Sequence, residues 1–383
     1  MIKKMNELQI NRPTIEITLL ACVILLIGIG FGFLYSASQP SAIRYHENQY
    51  YYVIKQGIYI LVGIFAFICG ILLDHRFYKK YIKLIVILTT LLLIVTLIPK
   101  IGKEVGGARR WIAIKGFQFQ PSEIAKLMIV FYLSSVLSNK KEYIKDFYKG
   151  ILPPLIIVGF ISLLIFIESD FSTTFLIIFV AFIIFFLAGM RLITFIMLIG
   201  AGLLGSILMI FFAPYRLKRL FAFLNPWEDP LGSGWHYLQS MKCFAIGKWF
   251  GSGIGESTQK YFALPEAHND YIFAIIAEEG GVFIALIILV LYTILAFVGF
   301  NIAKRTTESF SYIMASGITT LIFFQAMVNI GVVVGILPST GITLPFVSSG
   351  GTSLVMFLFS VGILMNISYI TKHEVKFKHN EVY

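Results

Sequence analysis

His268, Asn269 and Asp270 stand where a polar segment gives way to an apolar run that opens at Tyr271. A carboxylate at a membrane entrance carries a solvation cost, so such a group points to a membrane-embedded site. An Asp in that position is a candidate catalytic residue. It can also be the N-cap of the helix that starts there, although Asn269 could cap equally well and leave Asp270 uncommitted. Glu278 and Glu279 follow about 12 Å further along the helix axis and point about 100° apart, so the two cannot face one partner together.

A second constellation is Gly106-Gly107-Ala108-Arg109-Arg110-Trp111, followed by Gln118, by Gln120-Pro121-Ser122-Glu123 and by Lys126. Guanidinium groups bind oxyanions bidentately, so Arg109 and Arg110 beside a Gly-Gly turn suit a diphosphate or another oxyanion. Pro121 fits the first turn of a helix, and Glu123 complements that helix's dipole. Glu123 and Lys126 share a face at i and i+3. Lys126 lies about 7.5 Å below Pro121, inside the bilayer edge, where it requires a carboxylate partner or a wet cavity. One of Glu278 and Glu279 is the expected partner. The competing reading has Lys126 reaching outward along its stem and Trp111 as an interfacial belt residue. A third block holds Asn329 and then, within 337–353, Pro338, Gly341, Pro345, Ser348, Ser349, Gly350 and Gly351. It predicts a broken or re-entrant helix, which is tolerated only where it lines a cavity or is buried in protein. A half-helix N-terminus near Ser348 and Ser349 would offer N–H groups to an anion. A kinked helix packed through small residues is the alternative.

The elements that must hold these residues are apolar. Of 383 residues, 58% are hydrophobic and only 13% charged, which excludes an ordinary soluble domain. The apolar runs do not alternate as the strands of a transmembrane barrel would. The pattern predicts an all-α polytopic membrane protein forming one integral membrane domain. Ten transmembrane helices are expected, near 15–36, 52–73, 81–98, 121–138, 151–167, 172–189, 191–213, 270–297, 311–335 and 345–368. Residues 214–269 form a large extracytoplasmic loop between the seventh and eighth, its glycines suggesting short helical pieces folded against the bundle. The first span, although followed by Ser36-Ala37-Ser38, is longer than a signal peptide's apolar core and is expected to stay uncleaved.

The net charge of +11 follows the positive-inside rule and calls for no nucleic acid. With the N-terminus in the cytoplasm, the basic loops at 76–80, 140–149, 191, 304–305 and 372–378 all fall on the cytoplasmic side, as does the C-terminus. Two basic segments break the rule. One carries Lys100, Lys103, Arg109, Arg110 and Lys115, and the other carries Arg216, Lys218, Arg219, Lys242, Lys248 and Lys260. Cations kept outside against the bias suit an anionic ligand, although a long loop can also translocate regardless of charge. Cys22, Cys69 and Cys243 make neither a disulfide framework nor a zinc spacing.

Taken together, these blocks resemble the SEDS family of bacterial membrane glycosyltransferases, which includes FtsW, RodA and SpoVE. The resemblance runs from the first span to Ser353 and keeps the order of the motifs. Residues 107–126 match the family's Gly-Ala-Arg-Arg-Trp-Ile…Gln-Pro-Ser-Glu…Lys block, 264–281 its Leu-Pro-Glu-x-His-Thr-Asp…Glu-Glu-x-Gly block, and 338–353 its Pro-x-Thr-Gly…Gly-Gly-x-Ser block. Departures are Asn269 for the usual Thr, Tyr271 for Phe, Glu168-Ser169-Asp170-Phe171-Ser172-Thr173 for Gln-Pro-Asp-Leu-Gly-Thr, Gly234-Trp235-His236 for Gly-Tyr-Gln, and Lys248-Trp249 for Gly-Gly. They bear on local loop contacts.

The resemblance implies a peptidoglycan glycosyltransferase that polymerises lipid II, an undecaprenyl-diphosphate-linked disaccharide-pentapeptide, on the outer face of the inner membrane. Its partners would be a class B penicillin-binding transpeptidase and other division proteins. Asp270 aligns with the Asp regarded as catalytic. Arg109, Arg110, Trp111, Arg219, His268, Ser348 and Ser349 become substrate-binding candidates. Lys126, Glu123, Glu278 and Glu279 form the supporting ion pairs. No metal ligands are evident, although Mg²⁺ or Mn²⁺ could travel with a diphosphate. Residues 342–347 and the Arg219…Asn225-Pro226-Trp227 stretch are more similar to FtsW than to RodA, which implies septal synthesis. A lipid II flippase and a RodA-type elongation polymerase are the alternatives, and a scaffold that only recruits the transpeptidase is a third.

Overall fold

The computed structural model describes residues 14–380 except 106, 115–116, 141, 212–213, 233 and 262–266. The chain is largely helical. In order come α1 (Thr14–His46), α2 (Tyr51–Leu72), the short α3 (Arg76–Lys80) and α4 (Ile82–Leu97). Three strands follow, β1 (Gly102–Val105), β2 (Ala108–Ile114) and β3 (Phe117–Phe119), then α5 (Pro121–Asn139), α6 (Leu152–Ile167), α7 (Phe171–Leu187) and α8 (Leu192–Phe211). The long loop carries α9 (Pro214–Leu224) and α10 (Trp235–Gly247), and α11 (Ile272–Arg305), α12 (Ser309–Val333) and α13 (Gly351–Asn380) complete the bundle. Among the described residues, seven helices are long and apolar enough to cross a membrane, and three shorter apolar helices, Ile82–Leu97, Phe171–Leu187 and Leu192–Gly205, lie at other expected spans.

Burial orders the bundle. In α5 and α12 most of the apolar stretch is enclosed, whereas α2 is mostly exposed, as a helix facing lipid should be. The lipid-facing α2 packs along α13. A Cβ on Gly70 would stand 2.7 Å from the Phe359 carbonyl oxygen, and one on Gly362 would stand 2.3 Å from that of Phe67. Small residues therefore set this helix pair, as they do where lipid supplies no hydrophobic drive between helices.

Three features refine the pattern, the second of them at the break expected within 337–353. The segment between α4 and α5 is a three-stranded antiparallel sheet, with Glu104 opposite Arg109 and Val105 opposite Ala108, turning at Gly107, whose φ is 76°. The expected span at 345–368 begins only at Gly351, because 334–350 has no regular structure, its 342–348 stretch largely buried. Its carbonyls are met by side chains projecting from the helices. Asn329 donates to Ile342 at 2.7 Å, Gln325 to Thr343 at 3.1 Å and Gln56 to Ser348 at 3.3 Å, and Tyr292 donates to Pro345. Buried backbone of this kind survives only when so satisfied.

The third feature is a break in α11. At 34 residues it is too long to cross a bilayer upright. It breaks at Gly281, where φ is 77° and ψ 172°. The amide groups released there are taken up by the loop: Val282 N–H donates to Lys248 O at 2.9 Å and Phe283 N–H to Trp249 O at 3.2 Å. In return Ser252 N–H donates to Glu278 O at 2.9 Å and Gly253 N–H to Glu279 O at 3.1 Å.

Candidate active site

A cavity of about 410 Å³ opens at the end of the bundle where the sheet, the 334–350 segment and the start of α11 meet. Asp270, His268, Arg110, Trp111, Glu123, Lys126 and Ser349 all line it, so three blocks far apart in sequence converge on one space. The N-cap position of α11 is Tyr271, one residue after Asp270. The Asp270 backbone is fixed by Asn329, whose Nδ2 donates to its carbonyl at 2.9 Å. A Cβ on Gly341 would lie 3.6 Å from Asp270 Oδ2, which shows how closely the re-entrant backbone passes the carboxylate. Asn329 thus ties the carboxylate segment to that backbone through one amide. Asn329→Ala is expected to destabilise the fold by about 1–3 kcal/mol, since two buried carbonyls lose a donor. Thermal unfolding in detergent measures it, and an unchanged midpoint would contradict the tie.

Lys126 corrects an expectation. Its Nζ donates to Glu123 Oε1 at 2.8 Å and to Gln325 Oε1 at 2.6 Å, not to Glu278 or Glu279. Two of its three donors are thereby engaged at the cavity wall. Glu278 accepts from Ser257 Oγ at 2.6 Å and Thr258 N–H at 2.8 Å, while Glu279 pairs with Lys260 at 3.3 Å and accepts from the Ser36 hydroxyl. The two carboxylates therefore clamp the long loop onto α11 and α1. The physical reason is the break at Gly281, which brings loop residues 255–260 beside α11, a contact no local pattern encodes.

The two arginines separate. Neighbouring residues on a strand point to opposite faces. Arg109 pairs across the hairpin with Glu104 at 3.2 Å on the exposed side and does not line the cavity. Arg110 reaches the cavity and is held by the turn between α6 and α7, donating to Ser169 O and lying 3.9 Å from Asp170. Ser348 is also outside the cavity lining; its hydroxyl accepts from Leu344 N–H at 2.8 Å and shapes the segment. The Arg219 side chain lies outside the described residues. His268 is buried against the Tyr52 ring, 4.2 Å between centroids.

Lys55, Tyr52, Gln56 and Tyr59 line the cavity and were missed by sequence reasoning. Their i, i+3/i+4, i+7 spacing along apolar α2 marks one polar stripe, and that signal could have found them. The start of α13 packs beside this stripe, and Gly350, Gly351, Thr352 and Ser353 also line the space. Thr352 Oγ1 accepts from Gln120 N–H at 3.2 Å, joining the starts of α13 and α5. The cavity thus holds cations from three elements, a helix N-terminus suited to anions, and a carboxylate. Among the described residues no three His, Cys, Asp or Glu side chains converge on one point.

Glu168 occupies the turn that holds Arg110. It is 1% exposed, and burial, with Asp170 beside it, raises its carboxyl to about 8 against the opposing pull of Arg110. Because the folded value lies above the ordinary carboxyl value of about 4.3, this group's contribution to stability is fully present below that value. It is then lost progressively as pH climbs to about 8, at up to about 1.4 kcal/mol per pH unit. Glu168→Gln, neutral throughout, is expected to remove that decline. Parallel unfolding curves for the two proteins across the range would refute it.

Fold and cavity together define a polytopic membrane protein with an acid–cation site between its helices. The chain matches the FtsW/RodA/SpoVE cell cycle protein model over residues 17–373 and belongs to that family. It is 37% identical over 358 residues to stage V sporulation protein E of Bacillus subtilis (strain 168), covering 94% of this chain and 98% of that one. It is 38% identical over 365 residues to a probable peptidoglycan glycosyltransferase FtsW of Pseudoalteromonas translucida, covering 94% and 91%. Among solved structures, a chain from a peptidoglycan synthase complex that coordinates polymerisation and crosslinking superposes with a TM-score of 0.75 at 24% identity, over 92% of this chain and 97% of that one. RodA of Thermus thermophilus superposes with a TM-score of 0.66 at 22% identity, over 92% and 95%. These last two likenesses concern the fold.

Proposed function

We propose that this protein is a peptidoglycan glycosyltransferase that extends glycan strands from lipid II. The observation that carries the reading is that Asp270 shares one cavity with Lys55, Arg110 and Lys126. The acceptor sugar hydroxyl gives its proton to the Asp270 carboxylate as its oxygen bonds to the donor's anomeric carbon. The bond from that carbon to the lipid diphosphate breaks, and the diphosphate departs with the electron pair. Its growing charge is met by Arg110, by the remaining donor of Lys126, by Lys55 and by the N–H groups at the start of α13. A single displacement inverts the configuration. Lys126 belongs to the cation set and not to a distant pair with Glu278; Arg109, exposed and paired with Glu104, guides anions at the rim.

In this reading the cavity faces the outside of the bacterial inner membrane, both termini are cytoplasmic, and a class B penicillin-binding transpeptidase is the working partner. The FtsW-like stretches support a place at the division septum with other division proteins. A flippase needs ligand groups reachable from both faces, whereas these residues gather at one end of the bundle. The test is polymerisation of purified lipid II by the protein and its transpeptidase in proteoliposomes. Glycan strands are the expected product, and none from a folded complex would overturn the reading.

A further inference from the structure

We infer that residues 248–254 of the long loop are a membrane-seated wedge, inserted among the lipids of the leaflet on the cavity side. The loop there does not stand away from the bundle. It is hydrogen-bonded into the break in α11, with Lys248 O and Trp249 O accepting from Val282 and Phe283 at 2.9 and 3.2 Å. The approach is as close as backbone allows: a Cβ on Gly251 would stand 2.1 Å from Glu279 O, and one on Gly281 would stand 2.4 Å from Trp249 O. The wedge is therefore fixed to α11, and its depth follows from that helix.

Depth can be counted from the basic end of α11, at Lys304 and Arg305. Residues 282–305 alone run about 36 Å at helical rise. A hydrocarbon core of about 30 Å measured back from Ala303 ends close to Phe283. Trp249 and Phe250, bonded at that level, fall at the boundary between acyl chains and headgroups. Phe283, Leu286 and Val290 on the same helix are exposed and form part of the bundle's lipid-facing wall. The wedge continues that wall.

Its side chains suit this depth. Trp249 is 67% exposed, Phe250 86% and Ile254 73%, a concentration of apolar surface that water would oppose. Indole rings favour the membrane interface, where one edge is apolar and the other wet. Lys248 and Lys242 are exposed beside them and carry the charge that lipid phosphates attract. Lys248 and Trp249 stand where the family usually has Gly-Gly. Lys248 holds a φ of 48°, a conformation glycine adopts with less strain. The occupant of this surface is thus lipid, with apolar residues against chains and ammonium groups against phosphate.

Seating of the loop rests on the membrane-spanning fold and is independent of the catalytic reading. The experiment is tryptophan fluorescence of the full-length protein in phosphatidylglycerol and phosphatidylethanolamine vesicles, with acyl chains brominated near the headgroup, brominated near the chain ends, or unbrominated. The difference between wild type and Trp249→Phe isolates the Trp249 emission; the exposed ring makes this a mild replacement for folding. Bromine near the headgroup is expected to remove most of that emission and bromine at the chain ends much less. Emission from Trp249 that no brominated lipid reduces would overturn the wedge. So would quenching that disappears when the transpeptidase is added, because the surface would then belong to a protein partner.

Discussion

Asp270→Asn is expected to abolish glycan polymerisation while leaving the protein folded. The replacement keeps size and shape, and the Asp270 backbone bond from Asn329 does not involve the side chain. What it removes is the proton acceptor. General-base catalysis contributes about 10²–10⁴-fold, so the turnover of lipid II should fall by at least that range with substrate binding little altered. The carboxylate faces a cavity with cations on the other walls, and Asn fills the same space without the charge. Strand synthesis at the wild-type rate by a folded Asp270→Asn protein would remove Asp270 from the mechanism.

Lys126→Met is expected to produce the second large loss, through two separable effects. Removing the ammonium leaves Glu123 buried and without its cation. Breaking a buried pair from one side costs about 3–5 kcal/mol, far more than the pair's net worth. Loss of a charge that meets the departing diphosphate should also lower turnover by about 10²–10³-fold. Lys126→Met combined with Glu123→Gln separates the two. The double variant is expected to recover most of the thermal stability, because neither residue is then charged, and to remain inactive. Recovery of polymerisation together with stability would reduce Lys126 to a structural residue.

The clamp formed by Glu278, Glu279 and Lys260 illustrates how far sequence reasoning carried. Two consecutive carboxylates in an apolar helix marked an unusual place, and their divergence by about 100° meant two partners. The partners themselves were misassigned. Lys126 needs a carboxylate, and Glu123 one turn away supplies it, with Gln325 as the second acceptor. The i, i+3 spacing had contained that answer, and the local pair prevailed over the distant one.

The arginine pair was legible as an anion-binding signal but not as two different residues. Its division into a cavity-facing Arg110 and an exposed Arg109 depends on the segment being a strand. A short hairpin among long apolar helices carries little periodic signal, so the alternation was invisible. Lys55 was missed for the opposite reason, because it stands as a lone cation near the start of a strongly apolar helix and belongs to no motif.

By itself the sequence determined that the chain is a helical membrane protein, because apolar runs of bilayer length leave backbone groups no other way to be satisfied. It also determined which residues are out of place in those runs, since each charge or amide there carries a solvation cost that the local chain does not relieve. Which of these residues face one another was decided only by tertiary structure. The helix break at Gly281, the course of 334–350 and the seating of Arg110 each depend on hydrogen bonds from distant elements. Asp270, Arg110 and Lys126 share a cavity because those long-range bonds close, and spacing along the chain carries no record of them.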